Sequence, residues 1–193
     1  MNYVDSDSDM KISVTSVFLV LLIGLGTLFQ GCNRSREWIL DVSFQLTEME
    51  DYPRSDQLVI WLEKADGTFV KTLFVSEYLS YGGYNHPEIC PDWSTKTNWE
   101  ESSQEEFDAV TTATPSIGLV NLELMCTSEV VPKGEYIIFI EVHLTTDYNE
   151  LYSGPVKVSG RKFNNTLTVS YKPEKYHKAT YDVLSNVQIS LNE

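Results

Sequence analysis

Few residues of this 193-residue sequence have the types and spacing that chemistry at a protein site requires. A metal centre needs clustered histidines, cysteines and carboxylates, whereas His86, His143 and His177 stand far apart in the sequence. A serine nucleophile elbow and a glycine-rich phosphate loop are both missing, and no pair of carboxylates can be singled out as acid and base. We therefore predict no catalytic residues, no metal site and no enzymatic activity.

One segment has residue types suited to covalent attachment of a cofactor. It runs Asp108-Ala-Val-Thr-Thr-Ala-Thr114, with Thr111 at its centre. It resembles the acceptor motif of FMN-binding subunits of membrane redox complexes, which reads Asp, two residues, Ser/Thr, Gly, Ala, Thr. The last threonine of that motif carries FMN through a phosphoester bond, so the resemblance assigns this role to Thr114 and makes Asp108 and Thr111 the accompanying motif residues.

The segment departs from the motif at two places. Thr112 replaces the glycine, so the backbone has less freedom to adopt a positive φ there. Pro115 follows Thr114 and lacks an N–H that would otherwise meet a phosphate. The alternative interpretation is a threonine-rich connection that enters a strand, with Asp108 capping a turn.

A different covalent modification, lipid attachment, is indicated at Cys32. No residue from 12 to 33 is charged. The densest apolar part, residues 17–29, is shorter than the ~20 residues that a membrane-spanning helix needs, but its length fits a signal-peptide core. A glycine precedes the cysteine, as in substrates of lipoprotein signal peptidase. We therefore predict a signal peptide over residues 1–31 and a lipid-anchored tether over residues 32–37. The alternative is an uncleaved signal anchor with an incidental cysteine.

The extreme N-terminus does not fit a signal peptide. Its first nine residues contain three aspartates where positive charge is needed, so we predict that translation begins at Met10. Whether the leader is a cleaved signal peptide or an uncleaved signal anchor, we expect the globular part outside the cytoplasm. A disulfide between Cys90 and Cys126 is permitted there, and a buried free thiol at Cys126 is the open alternative.

Composition limits the class of partner. The formal net charge of −14 repels phosphate backbones, so we expect no nucleic acid partner. Hydrophobic residues make up 42% and aromatic residues 12% of the chain, which is enough for a core at this size.

The elements that must position these residues are short strands. Apolar residues alternate with polar ones or form short continuous runs, which is typical of strands buried on one or both faces. The predicted strands cover residues 38–46, 57–63, 68–75, 117–125, 136–144, 152–158, 166–171 and 181–191. The pattern predicts an all-β fold over residues 38–193, an antiparallel immunoglobulin-like β-sandwich of about eight strands.

One long irregular loop, residues 76–108, interrupts the strands. We expect a short helix near residues 77–81. Aromatic rings stack well, so Tyr84, Trp93 and Trp99 are candidates for packing against an isoalloxazine ring. The alternative is that they plug one end of the sandwich as ordinary core residues.

Several segments together resemble an uncharacterised family of bacterial exported proteins, domain-of-unknown-function family twenty-two seventy-one. In order along the chain they are Val59–Trp61, Gly67–Leu73, Asp108–Thr114, Val131–Tyr136, Ile140–Val142, Asp147–Asn149 and Tyr152–Gly154. The resemblance covers most of residues 38–172, although many members carry Trp-Asp near the position of Leu124 and Met125. It implies an immunoglobulin-like sandwich, encoded near flavin transferases and PepSY-type membrane reductases.

These features lead to one expectation and one alternative. We expect an extracytoplasmic, membrane-anchored lipoprotein, in the periplasm or at the outer membrane, that serves flavin-based electron transfer. It would carry FMN on Thr114 or support a flavinylated partner, with a flavin transferase or a membrane reductase as its protein partner. The alternative is a non-redox interaction or structural lipoprotein that binds a protein or a glycan, because sandwich folds host many functions.

Overall fold

The computed structural model describes residues 36–48, 55, 57–145, 148–171 and 182–192. They form ten strands: β1 (Glu37–Leu46), β2 (Gln57–Lys64), β3 (Phe69–Ser76), β4 (Thr111–Thr112), β5 (Gly118–Thr127), β6 (Gly134–Thr145), β7 (Tyr148–Val158), β8 (Phe163–Thr166), β9 (Thr168–Tyr171) and β10 (Leu184–Asn192). The predicted signal peptide, Cys32 and most of the tether lie outside the described residues.

The strands form two sheets that pack face to face. The four-stranded sheet has the order β5-β1-β10-β8, and the six-stranded sheet has the order β4-β3-β2-β6-β7-β9. All described pairings are antiparallel except the short one between β3 and β4. The predicted all-β sandwich is therefore confirmed, with ten strands in place of about eight, because residues 166–171 divide between β8 and β9 and the two-residue β4 is added.

The main core lies between the two sheets and follows the two-residue period of the strands. On β6 the side chains of Tyr136, Ile138, Ile140, Val142 and Leu144 all point into it, as the alternation predicts. Burying a large apolar side chain contributes roughly 1.5–3 kcal/mol. The alternating pattern thus fixes which face of each strand meets the other sheet.

Residues 77–110 form a helical cover over the outer face of the six-stranded sheet. The cover contains α1 (Glu77–Ser80), α2 (Pro91–Ser94) and α3 (Gln104–Val110), with 3₁₀ turns at Gly83–Asn85 and Trp99–Glu101. The predicted short helix near residues 77–81 is confirmed as α1. The rest of the predicted irregular loop is more regular than expected.

A second apolar cluster joins the cover to the sheet. It comprises Val59, Trp61, Val75, Leu79, Ile89, Cys90, Trp93, Trp99 and Val110. Strand β2 is consequently buried on both faces, with Leu58, Ile60 and Leu62 in the main core and Val59 and Trp61 under the cover. This explains why β2 reads as a continuous apolar run.

The cover also buries the second face of β6. Glu141 and His143 alternate with the apolar residues of this strand, which is typical of a polar, solvent-facing side, yet they are only 0% and 4% exposed. The reason is that the helical cover lies on the face that the alternation marks as polar.

Candidate functional site

The FMN-type motif lies where the helical cover returns to the sandwich. Asp108 is in the last turn of α3, Thr111 belongs to β4, and Thr114 lies in the connection to β5. Strand β4 is held by parallel pairing of Thr111 with Val75 of β3. The motif residues are thus spread over a helix end, a strand and a connection.

The three motif side chains have different environments. Asp108 is exposed and its carboxylate accepts a hydrogen bond from Gln104 Nε2 at 2.7 Å. Thr114 is half-buried. The Thr111 hydroxyl is buried and has no hydrogen-bond partner within the described ranges, although buried hydroxyls nearly always have one. Within those ranges no hydrogen bond joins the side chains of the three residues.

The replacement of the motif glycine by Thr112 is accommodated without backbone strain. Among the described non-glycine residues, only Cys90 and Asn186 have a positive φ. Thr112 instead continues the extended strand β4. This backbone therefore does not need glycine at the position where the motif has one.

A groove of about 580 Å³ runs beside the motif, between β3, β5 and α3. The motif contributes Ala109, Val110 and Thr112 to its lining. The strands contribute the apolar side chains Leu73, Phe74, Leu122, Leu124 and Met125. Polar groups come from Lys71, Glu105, Glu123 and Thr127. Ligand sites are typically ~300–1,000 Å³, mostly apolar and supplied with a few polar groups, so the groove has the size and lining of a ligand site, and Asp108, Thr111 and Thr114 are not among its lining residues.

The aromatic residues of the cover do not line this groove. Trp93 and Trp99 are 0% and 4% exposed, and their indole N–H groups donate to Thr72 Oγ1 at 2.9 Å and to the Ser80 carbonyl at 3.1 Å. Tyr84 packs half-buried against the same cluster. The predicted stacking of Trp93 and Trp99 on an isoalloxazine is therefore wrong, and for Tyr84 it stays a prediction. They hold the cover on the sheet face instead of plugging one end of the sandwich.

Buried carboxylates tie the cover to the sheet. Glu141 accepts hydrogen bonds from the main-chain N–H groups of Asp92 at 3.3 Å and Trp93 at 3.0 Å. Burial raises the pKa of Glu141 to about 8, and the two N–H donors lower it in part. Glu63 accepts from Lys96 Nζ at 2.6 Å and also from the indole of Trp61.

His143 belongs to the same buried layer. Its Nδ1 lies 2.9 Å from Asn149 Oδ1, which also accepts the N–H of Cys90 at 3.3 Å. Burial lowers the pKa of His143 and raises that of the Cys90 thiol well above its usual value. A fully buried, protonated thiol is inert, so this group of residues is structural. The described residues contain no group of three His, Cys, Asp or Glu side chains that would hold a metal ion.

The two cysteines left open by the sequence are free and buried. Cys90 lies in the cluster under the cover, and Cys126 lies in the main core. Burial raises the pKa of Cys126 to about 12. The structure therefore contains no disulfide between them, and Cys126 is the buried thiol that the alternative described.

One buried acidic site has no counterpart in the sequence analysis. Glu150 of β7 is fully buried in the main core. Its carboxylate accepts hydrogen bonds from the hydroxyls of Tyr148 and Tyr152 and from the Val183 N–H at 2.8 Å. The sequence did contain a signal for this site. Glu150 is two residues from Tyr148 and from Tyr152, so the alternation of the strand places its side chain on the same inward face.

Fold and site together define an all-β sandwich with a helical cover and a groove beside a threonine-rich motif. The sequence matches the model of a family described as predicted periplasmic protein, DUF2271, over residues 39–179, and the chain belongs to this family. The resemblance found in the sequence is thereby confirmed, and the family description agrees with the expected extracytoplasmic location. Neither curated proteins nor solved structures give a match. None of the helices in the described ranges is long and apolar enough to cross a membrane.

Proposed function

We propose that this chain is an exported lipoprotein module of flavin-based electron transfer that carries FMN on Thr114 and is held at the membrane through Cys32. The observation that carries the proposal is the position of the motif, which borders a largely apolar groove of about 580 Å³. A covalent link would retain a flavin outside the cytoplasm, where no free flavin pool exists.

The attachment is a phosphoryl transfer to the Thr114 hydroxyl. That oxygen loses its proton and bonds to the phosphorus of the FMN half of a flavin dinucleotide, while the pyrophosphate bond breaks and adenosine monophosphate leaves. A flavin transferase would supply the donor and the catalytic groups. Thr114 is half-buried in a connection between strands, so a transferase needs to open little of the fold to reach it.

The groove would then hold the ring. When bound, a flavin takes up and delivers one or two electrons. Leu73, Phe74 and Leu124 offer apolar surface that excludes water from a planar ring, and Lys71, Glu105 and Glu123 place charges of both signs along the groove.

The proposal is tested by co-expression with a flavin transferase. The protein is denatured on a gel, illuminated and weighed by mass spectrometry. We expect a fluorescent band and an added mass of FMN less one water, both lost in Thr114→Val. The matched control is Thr168→Val, which removes an exposed threonine of β9 outside the motif and the groove and should keep the label. Absence of fluorescence and mass in the unmodified chain would overturn the carrier function.

A second candidate function, binding of a glycan, is favoured by a different surface. The outer face of the four-stranded sheet has a polar depression of about 630 Å³. Its lining includes Asp41, Ser43, Asn164, Thr166, Gln188 and Ser190. Such amide, hydroxyl and carboxylate groups match the hydrogen-bonding groups of sugars. Glycan-array binding that is lost in Asp41→Ala but kept in Thr114→Val would favour this function over the flavin carrier.

A further inference from the structure

A cavity of about 340 Å³ opens at the end of the sandwich where β1 begins. Arg36, Glu37, Trp38 and Ser128 line it from the four-stranded sheet, and Lys133 and Val158 line it from the six-stranded sheet. We call it the basal cavity. It lies at the opposite end of the sandwich from Leu46 of β1 and Thr145 of β6, and it shares no lining residue with the groove beside the motif.

Trp38, which lines the basal cavity, has an indole donor that lacks an acceptor. Trp38 is only 3% exposed, and its Nε1 is buried without a hydrogen-bond partner in the described part of the chain. An indole nitrogen donates and does not accept, and buried donors nearly always find an acceptor. Ser128 Oγ accepts the Arg36 N–H at 3.0 Å, which leaves the hydroxyl proton of Ser128 as a second donor. A ligand with acceptor oxygens would satisfy both donors.

The charges around the basal cavity favour an anionic ligand. Arg36 and Lys133 line it, and neither is ion-paired with another described residue. The turns at the same end of the sandwich add the exposed side chains of Lys64, Arg161 and Lys162. Among the described residues, the carboxylates on these turns and strand ends are Glu37, which also lines the cavity, Asp66 and Glu129, while Glu135 is paired with Lys157 at 3.0 Å. The described residues at this end thus include more cations than unpaired carboxylates, in a chain whose net charge is −14.

We propose that the basal cavity binds the phosphate of an anionic phospholipid headgroup and so seats the sandwich on the membrane surface. The Trp38 indole and the Ser128 hydroxyl donate to the phosphate oxygens, and Arg36 and Lys133 neutralise the charge with charge-assisted hydrogen bonds. The chain enters the sandwich at this end, shortly after Cys32. The proposal rests on the proposed lipid anchor only for bringing this end close to a bilayer, whose anionic headgroups attract such cations.

The test follows the indole N–H of Trp38 directly. The full chain, labelled with ¹⁵N-tryptophan and purified from bacterial membranes, is reconstituted in nanodiscs of phosphatidylcholine alone or with added phosphatidylglycerol. Trp38→Phe identifies its resonance among those of the four tryptophans. We expect phosphatidylglycerol to shift the Trp38 indole signal, and high salt to weaken that shift. Arg36→Gln combined with Lys133→Gln should abolish it, whereas Lys157→Gln, which changes an exposed cation outside the cavity, should leave it.

Three outcomes would overturn the proposal. The first is a Trp38 indole signal at the same position in discs with and without phosphatidylglycerol. The second is an equal shift on adding inorganic phosphate to phosphatidylcholine discs, which would make the cavity a site for free anions. The third is an equal loss of the shift in Lys157→Gln, which would reduce the effect to bulk charge. The mass of the same sample reports the diacylglycerol on Cys32 separately, so failure of the anchor and failure of the cavity are distinguishable.

Discussion

The main-chain N–H of Trp93 donates to Oε2 of Glu141 at 3.0 Å, and this bond joins the helical cover to the middle of the six-stranded sheet. The N–H of Asp92 donates to the other carboxylate oxygen at 3.3 Å. Glu141 is fully buried, so the attachment of the cover depends on an acidic group in an apolar setting.

The first prediction concerns pH. Burial raises the pKa of Glu141 from 4.5 to about 8, so the folded chain binds this proton more tightly than the unfolded chain. The contribution to the free energy of unfolding is complete below about pH 4.5 and is lost as the pH rises through about 8. Because one pKa unit corresponds to about 1.4 kcal/mol, we expect a decrease of a few kcal/mol across this window.

The measurement is urea denaturation at several pH values between 5 and 9, compared with Glu141→Gln. The neutral variant should lose the decrease, and the difference between the two proteins removes the opposing contribution of His143. Glu123→Gln, at an exposed position of β5, is the matched control. An identical pH slope in the parent protein and Glu141→Gln would contradict the prediction.

The second prediction concerns the helical cover. Trp93→Ala removes a fully buried ring and its hydrogen bond to Thr72, at a cost of about 3–5 kcal/mol. Limited proteolysis should then cut within residues 77–110 before the strands are attacked. Tyr78→Ala, which removes a ring that is 54% exposed, should leave the cleavage pattern unchanged. Cleavage of the strands at the same rate as the cover would show that the two do not open separately.

The third prediction concerns the carboxylate in the main core. Glu150→Ala removes the acceptor of the hydrogen bonds from Tyr148, Tyr152 and Val183, and removing one partner of a buried hydrogen bond costs about 1–3 kcal/mol. We expect a large loss of stability in urea denaturation. Glu135→Ala, whose carboxylate pairs with Lys157 on the surface, should change it by less than about 1 kcal/mol. Equal losses of stability in the two variants would contradict the structural role assigned to Glu150.

The fourth prediction counts thiols. Cys90 and Cys126 are buried and burial raises both pKa values, so a thiol reagent should label neither in the native protein. Denaturation without a reductant should expose both. A third reactive thiol would come from Cys32 and would contradict its lipidation. If the denatured protein showed no reactive thiol, Cys90 and Cys126 would be joined by a disulfide.

The strands were predictable from the sequence because period-two alternation reports burial on one face, as along β6 from Tyr136 to Leu144. The cover was not predictable in the same way. Glu141 alternates like a solvent-facing residue, and its donors belong to Asp92 and Trp93, far away in the sequence. A local pattern cannot indicate which distant segment folds over a strand face.

The candidate site likewise has one part that the sequence predicts and one part that it does not. The motif from Asp108 to Thr114 is a local feature and can be read directly from the sequence. The groove beside it is formed by β3 and β5, whose side chains Leu73 and Leu124 meet only in the folded sandwich. The roles of Trp93 and Trp99 were assigned wrongly for a related reason. The sequence of an irregular segment rich in large aromatic rings is compatible both with a ligand-binding surface and with a buried core.

The pairing of β1 with β10 has a consequence for the route by which the chain reaches its location. Leu40 of the first described strand lies opposite Leu191 of the last, at the centre of the four-stranded sheet. This sheet cannot be completed until the segment carrying β10 is available, and such long-range pairing is slow to form. A chain that is threaded through a translocation channel in an extended state would therefore keep this sheet unformed, and stay transportable, until β10 had passed.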